Sequence, residues 1–372
     1  MKCEEVLKHL DDYAHGSCTV ELEQQIDEHM TECDSCSARL EEIAVAEQVI
    51  PNEKDVEKNS KKMIRRAKIK NRLSIFGTIL LLFVFLIVFS SLVTGFFYSW
   101  NDKMDRASLV NQTHFQMTSN NMVLEPSVME TTMFMGVQYD FHVKKKIGKE
   151  FMYLTKQEPR LFFNRIMNMK FDEPVSLTDM YFVNRNASVN YNEEYIAAWE
   201  NLEKLPEGTV SELAVTFNKG LSYNELFAVL GNYDIDLAWA GIETDRFEGA
   251  VDEILYPGID VIGFNENSLF DFINVKGVFS IEDGDGEHRE EIVIDALQFL
   301  VENESYVKQL NRLSDIKAFD PNAVLAYIEE HGINLYGAIL TGPTKELLKL
   351  QNEEVILYSS MGEVEFWNWD KW

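Results

Sequence analysis

Hydrophobic and polar positions fall into three stretches with different rhythms along the chain. In the first, Val6, Leu7, Leu10 and Tyr13 recur at the spacing of one helix face, which predicts a helix over about 4–14 with all four inward. HGSCT, with its Gly16, breaks that rhythm, and Leu22, Ile26 and Met30 set the inward face of a second helix over about 19–32. In the second stretch the alternation vanishes. No charged residue occurs from Leu73 to Asn101, and IFGTILLLFVFLIVFSSLV fills positions 75–93. This run matches the roughly 20 apolar residues a helix needs to cross a bilayer, and Phe96, Phe97, Tyr98 and Trp100 supply an aromatic belt at its far end. A cleavable signal peptide does not sit behind 72 hydrophilic residues, so one transmembrane helix is expected.

The third stretch opens with an aromatic-rich segment, 102–205, whose weak periodicity predicts mixed strands and short helices. Beyond it a faint repeat emerges. LSYNELFAVLGNYDIDLAWAGI (221–242) aligns without gaps to FDPNAVLAYIEEHGINLYGAIL (319–340) at an offset of 98. Identities fall at Asn224/Asn322, Ala228/Ala326, Ile235/Ile333, Leu237/Leu335 and Ala240/Ala338. Each copy predicts an amphipathic helix opened by a Ser or Asp cap and followed by a strand. TVSELAVTF before the first copy alternates as a strand, and VILYSSMGEVEFWNW after the second predicts a strand or a hairpin. TGPTKEL, which resembles a phosphate loop only superficially, predicts a turn with a Thr344 cap opening the next helix.

Charge adds topology. Of the 372 residues, 62 are acidic and 34 basic, a net charge of -28, which argues against direct contact with nucleic acid. Residues 1–50 carry -10 and residues 51–72 carry +6, leaving -24 for the remainder. Lys58, Lys61, Lys62, Arg65, Arg66, Lys68, Lys70 and Arg72 precede the span with no acid among them. By the positive-inside rule the N-terminus is then cytoplasmic and the region from about 102 onward extracytoplasmic.

Chemistry is confined to the first 36 residues, which hold all four cysteines. HMTECDSC sets His29, Cys33 and Cys36 in the spacing H-x3-C-x2-C: His29 and Cys33 lie one helical turn apart, and the two thiols form a knuckle suited to tetrahedral zinc. A closed site needs a fourth ligand. Two helices of similar length folded as an antiparallel hairpin bring His29 back to the end where Cys3 lies and leave Cys18 at the opposite turn. The expected Zn2+ ligands are therefore Cys3, His29, Cys33 and Cys36, with Cys18 a loop thiol and His9 and His15 surface residues. Four protein ligands leave no open position for a reactive water, so the metal is expected to staple the fold, and no enzyme activity is expected.

These readings combine into a multi-domain chain. A small all-α zinc-stapled helical bundle (1–50) leads through a basic juxtamembrane helix or linker (51–72) to one transmembrane helix (73–98). An α/β or α+β extracytoplasmic region with a weak internal repeat follows, in an N-terminal part (102–205) and a C-terminal α/β part (206–372).

The combination C-x25-H-x3-C-x2-C on short helices, with an acidic surface and one span behind it, resembles the zinc-binding anti-sigma domain of bacterial membrane regulators. The outer region resembles the sigma-factor regulator domains of Gram-positive anti-sigma proteins, in GAILTGPTKELLKL (337–350) and GEVEFWNW (362–369). The resemblance implies a membrane-bound anti-sigma factor that sequesters an extracytoplasmic-function sigma factor and releases it on an envelope signal. It also favours release through membrane proteases over a conformational or dimer-based signal; Ser90, Ser91, Thr94 and Gly95 fit a span loosened for a cut, and equally an ordinary membrane helix or a dimer contact. A sigma factor needs basic surface for DNA, so Glu21, Glu23, Asp27, Glu28, Glu41, Glu42 and Glu47 are the expected complementary contacts. The alternative is a membrane receptor or envelope-assembly protein whose zinc module binds some other partner.

Overall fold

The structure is a computed structural model and describes residues 1–46, 53–172, 178–186, 192–244, 254–268, 285–313 and 319–369. The chain forms two compact units, Met1–Phe85 and Leu86–Trp372.

The first unit opens with three short helices: α1 (Cys3–Ala14), α2 (Val20–Glu32) and α3 (Asp34–Ala46). Val6, Leu10, Ile26 and Cys36 are its fully buried apolar residues, with Tyr13, Leu22, Met30, Leu40 and Ile43 packed around them. Leu7 departs from the expected stripe and is 50% exposed. It lies one residue on from Val6, about 100° around the helix, and the small core is already closed by Val6 and Leu10. Helix α4 (Glu53–Ser99) then runs unbroken through the basic segment and the apolar run. Its most apolar window has a mean hydropathy of 2.7 and none of it is buried. Among the described residues, one helix is long and apolar enough to cross a membrane.

The second unit is α+β, with every paired strand antiparallel among the described residues apart from an isolated bridge between Pro257 and Val261. Segment 102–205 is more regular than its sequence suggests. Helix α5 (Lys103–Thr118) packs on a four-stranded meander, β1 (Met122–Thr132), β2 (Gly136–Ile147), β3 (Glu150–Phe162) and β4 (Arg165–Phe171). Polar residues hid this. Asn111, Gln112, Thr113 and His114 are buried on α5, and Asn111 Nδ2 donates to Gln157 Oε1 on β3 at 2.9 Å. A short strand β5 (Phe182–Val183) and helix α6 (Asn192–Lys204) lead into the C-terminal half.

There a five-stranded sheet contains β6 (Thr209–Leu221), β7 (Asp236–Ile242), β9 (Gly263–Asn265), β10 (Leu335–Pro343) and β11 (Ile356–Phe366) in the order β11-β6-β10-β7-β9, while β8 (Ile254–Leu255) pairs with β5. Both faces are covered. Leu213, Val215, Leu335 and Leu340 join the core beneath helices α7 (Tyr223–Leu230), α8 (Gly286–Glu302), α9 (Glu304–Leu313) and α10 (Pro321–His331). Ala214, Trp239, Tyr336 and Ile339 form a second cluster with Met180 and Phe182. The segment expected as a strand or hairpin is the single strand β11, irregular between Met361 and Val364.

The repeat takes physical form. Ser222 and Asp320 cap α7 and α10 as expected, each accepting a backbone N–H. Strands β7 and β10, the two copies' strands, are neighbours in which Ala240 pairs directly with its equivalent Ala338. Exchanging the copies turns the pair Leu335–Ile242 into Leu340–Leu237 and the pair Gly337–Gly241 into Ile339–Trp239, all four of which occur. The copies are thus related by a local twofold axis through the alanine pair.

Two further features mark this unit. Lys145 of β2 and Glu212 of β6, 1% and 0% exposed, form an ion pair of 2.7 Å between the two sheets. Burial pushes the Glu212 carboxyl up against the opposing pull of Lys145. Thr344 is not the expected cap: Pro343 holds that position before α11 (Thr344–Lys349), and the Thr344 hydroxyl is buried against Ser211 and Thr209 at 2.6 and 2.9 Å. A buried hydroxyl with two partners has no reason to fold back on its own helix.

Candidate metal centre

Three local decisions of the chain build the centre. Lys2 precedes α1 in extended conformation, and its backbone N–H donates to Glu5 at 3.2 Å, which places Cys3 in the first turn. Helix α2 carries His29 in its last turn and ends at Cys33, whose extended backbone (φ -128, ψ 96) turns the chain into α3. The Cys33 carbonyl then accepts the N–H groups of Cys36 and Ser37, both at 3.2 Å, so the two-residue spacing becomes one tight turn with both sulfurs on its inner side.

The structure brings together all four residues expected from the sequence. Their donor atoms lie within 4.8 Å of one another. Cys3 Sγ is 3.4 Å from His29 Nε2 and 3.7 Å from Cys33 Sγ. A tetrahedral zinc with bonds of about 2.3 Å to sulfur and about 2.0 Å to nitrogen sets sulfur pairs about 3.8 Å apart and sulfur and nitrogen about 3.5 Å apart. The donor set therefore fits the ion in kind and in spacing. The cysteines are free, and 3.7 Å is far beyond a covalent sulfur–sulfur bond of about 2.05 Å.

The thiols differ in environment. The hydroxyl of Ser35, 3.2 Å from Cys33 Sγ, and the nearby Cys36 backbone N–H bring the Cys33 thiol down to about 6. Cys36, only 2% exposed, is pushed up to about 11 by burial. Cys18 lies in the α1–α2 connection, half-buried at the edge of the small core and outside the cluster. His9 and His15 are occupied elsewhere: His9 Nδ1 is 3.9 Å from Asp12, and His15 Nδ1 is 2.6 Å from the Asp11 carbonyl.

Around this staple the surface is acidic. Glu21, Glu23, Asp27, Glu28, Glu41 and Glu42 are all exposed, while Glu47 lies outside the described residues. Asp27 also ties the hairpin internally, accepting the Tyr13 hydroxyl and raising it to about 12. Sequence reasoning missed that bond because Tyr13 was read only for its apolar body.

Comparison with known proteins divides the chain in the same order. Residues 3–37 match the family model described as "Putative zinc-finger", 61–152 match "Sigma factor regulator N-terminal", and 202–363 match "Sigma factor regulator C-terminal". A Bacillus subtilis (strain 168) protein described as "Probable anti-sigma-M factor YhdL" is 26% identical over 261 residues, covering 68% of this chain and 67% of the relative. No solved structure matches.

Proposed function

We infer that this chain is a membrane anti-sigma factor of the zinc-binding type, which sequesters a sigma factor through its N-terminal zinc module. The observation that carries this is the pre-shaped Cys3, His29, Cys33 and Cys36 set on three short helices, followed in one chain by an apolar span and a region that matches the sigma-factor regulator models. These four side chains hold the Zn2+. The ion supplies cross-linking to a bundle with only a handful of buried apolar residues. It leaves the acidic faces of α2 and α3 free for a basic partner.

The partner is an extracytoplasmic-function sigma factor. The module lies in the cytoplasm, because the eight Lys and Arg residues from Lys58 to Arg72 precede the span without an acid. The sheet region lies outside, senses the envelope, and governs release, either by exposing the chain to proteases or by rearranging. The protein acts by binding and carries out no catalysis of its own.

The test is affinity capture of the full-length, tagged chain from detergent-solubilised membranes, followed by mass spectrometry. A sigma factor is expected in the wild-type eluate and absent with Cys33→Ala. Reversal of Glu21, Glu23 and Glu28 to Lys should weaken capture at low salt more than at high salt. Recovery of a partner other than a sigma factor, insensitive to Cys33→Ala, would refute the assignment.

A further inference from the structure

The last turns of α4 are anchored to the sheet that follows. Ser90, Thr94 and Tyr98, spaced four apart, form one stripe of the helix. Ser90 Oγ accepts the Phe134 N–H at 2.6 Å, and Thr94 Oγ1 accepts the Met135 N–H at 2.9 Å. Tyr98, 2% exposed, points its hydroxyl at the carbonyls of Met135 and Phe163, 2.8 Å from each. The β1–β2 and β3–β4 turns, linked by the Phe163 N–H donating to the Met135 carbonyl at 2.9 Å, thus sit side by side against the helix at the level of residues 90–98. Here α4 runs unbroken to Ser99, and the Ser90 and Thr94 hydroxyls hold the turns while Thr94 Oγ1 also donates to the Ser90 carbonyl of its own helix at 2.8 Å.

That level straddles the outer end of the apolar run, with Ser90 inside it and Thr94 and Tyr98 just beyond. If 75–93 spans the hydrocarbon, Ser90 lies about 5 Å below its edge at 1.5 Å per residue. The side chains displayed there suit the location. Met133, Phe134, Phe162, Phe163 and Met167 are 52%, 59%, 43%, 43% and 61% exposed. Residues 131–138 carry no charge, and Arg165 is the single charge in 161–169, within a chain of -28. The backbone repeats the message: Phe134, Met135 and Phe163 hold φ of 61, 64 and 52, the left-handed region where glycine or asparagine ordinarily sits. Bulky apolar residues kept at positions that disfavour them indicate that the side chains themselves are wanted.

We propose that these two turns are a membrane-docking surface: they lie in the headgroup and upper acyl region of the leaflet from which α4 emerges, fixing the four-stranded sheet upright on the lipid. This rests on the reading of α4 as a membrane span. Continuity with the span argues for lipid as the occupant, because the turns are hydrogen-bonded to it at bilayer depth. Arg165 at the rim meets phosphate headgroups, and Phe96 and Trp100, 67% and 57% exposed, complete the belt.

The experiment places an environment-sensitive fluorescent amino acid at one position at a time in the full-length, zinc-loaded chain, in nanodiscs holding a single copy. The positions are Leu81 in the span, Phe134 and Met167 at the turns, and Phe151 at the opposite end of the same sheet; all four are exposed side chains. Lipids carrying a nitroxide high on the acyl chain should quench emission at 134 and 167, with a blue shift, and leave 151 unchanged. Quenching at 81 by deep nitroxides alongside full emission at 134 and 167 would overturn the docking surface while the span stands. No quenching at 81 would overturn both. A blue shift at 134 without lipid quenching would also overturn the proposal, since protein would then cover the turn.

Discussion

The two ends of the chain reach stability by different means. Among the described residues the N-terminal module buries four apolar side chains, Val6, Leu10, Ile26 and Cys36, one of which belongs to the candidate donor cluster. The sheet region closes a core that runs from Tyr98 to Ile356 and covers β6, β7 and β10 on both faces. A module of some fifty residues sits near the size at which burial alone fails to offset chain entropy, so its fold is conditional on an ion. The sheet region, by contrast, holds a core large enough to stay folded without a metal.

Metal removal separates the two most sharply. Structural zinc contributes on the order of 10 kcal/mol to folding in small zinc modules, more than the apolar core of α1–α3 can replace. Chelation, or His29→Ala, should therefore bring the amides of α1, α2 and α3 to fast hydrogen exchange while β6 and β10 stay protected. Unchanged protection in α1–α3 without metal would show that the small core suffices.

The sheet region has its own vulnerable point in the Lys145–Glu212 pair, which is buried where the two sheets meet. Lys145→Met leaves a buried carboxylate without its cation and should cost about 3–5 kcal/mol in thermal or denaturant unfolding of that region. Adding Glu212→Gln should recover much of the loss, since an amide oxygen still accepts from Asn121 and no charge remains. Zinc binding should be indifferent to both changes. A single variant no less stable than the double would mean that the pair is already solvated.

A third test reads acid sensitivity. His114 is buried, and burial takes its imidazole down to about 4, although its bond to Asn311 pulls the other way. Asn311 Nδ2 donates to the Phe319 carbonyl at 2.7 Å, so its Oδ1, 2.8 Å from His114 Nε2, accepts from a protonated Nε2 and fixes the tautomer. Since the folded value lies below the unfolded one, near 6.5, the unfolded state takes up the proton first as pH falls. Stability is then full above about 6.5 and is lost down to about 4, by about 3 kcal/mol at most. His114→Gln should flatten that limb of the stability–pH curve, and an unaltered slope would assign the loss to other groups.

His114 also shows why the sequence was legible in some places and opaque in others. The grouping of Cys3, His29, Cys33 and Cys36 could be read because spacing and helix length are arithmetic: thiols two residues apart share one turn, and helices of similar length return His29 to Cys3. The repeat could be read because its caps, Ser222 and Asp320, and its apolar face serve local structure. The meander and α5 could not. Their interior is built from polar groups that satisfy one another across long separations, Asn111 with Gln157, His114 with Asn311, Lys145 with Glu212, and no periodicity records a partner distant in sequence. Leu7 and Thr344 fail for the converse reason: each looks right locally, and tertiary packing assigns the position otherwise.

The smallest expected effect is the most direct test of how the zinc module is threaded. Cys18 follows α1 beyond its C-terminal end, while Cys3 is the first residue of that twelve-residue helix, at the other end of an axis about 18 Å long. Cys18 lies outside the donor cluster and is only half-buried at the core edge, where burial and the nearby acids Asp12 and Glu23 raise its thiol. Cys18→Ala should therefore leave one zinc per chain and shift module stability by less than about 1 kcal/mol, the scale of a partly exposed truncation. Cys3→Ala should lose the ion or bind it far more weakly, because three donors remain and the tetrahedron opens to water. Zinc titration of both variants against a competing chelator decides between them: if Cys18→Ala loses the metal and Cys3→Ala retains it, α1 and α2 do not form the antiparallel hairpin on which the site depends.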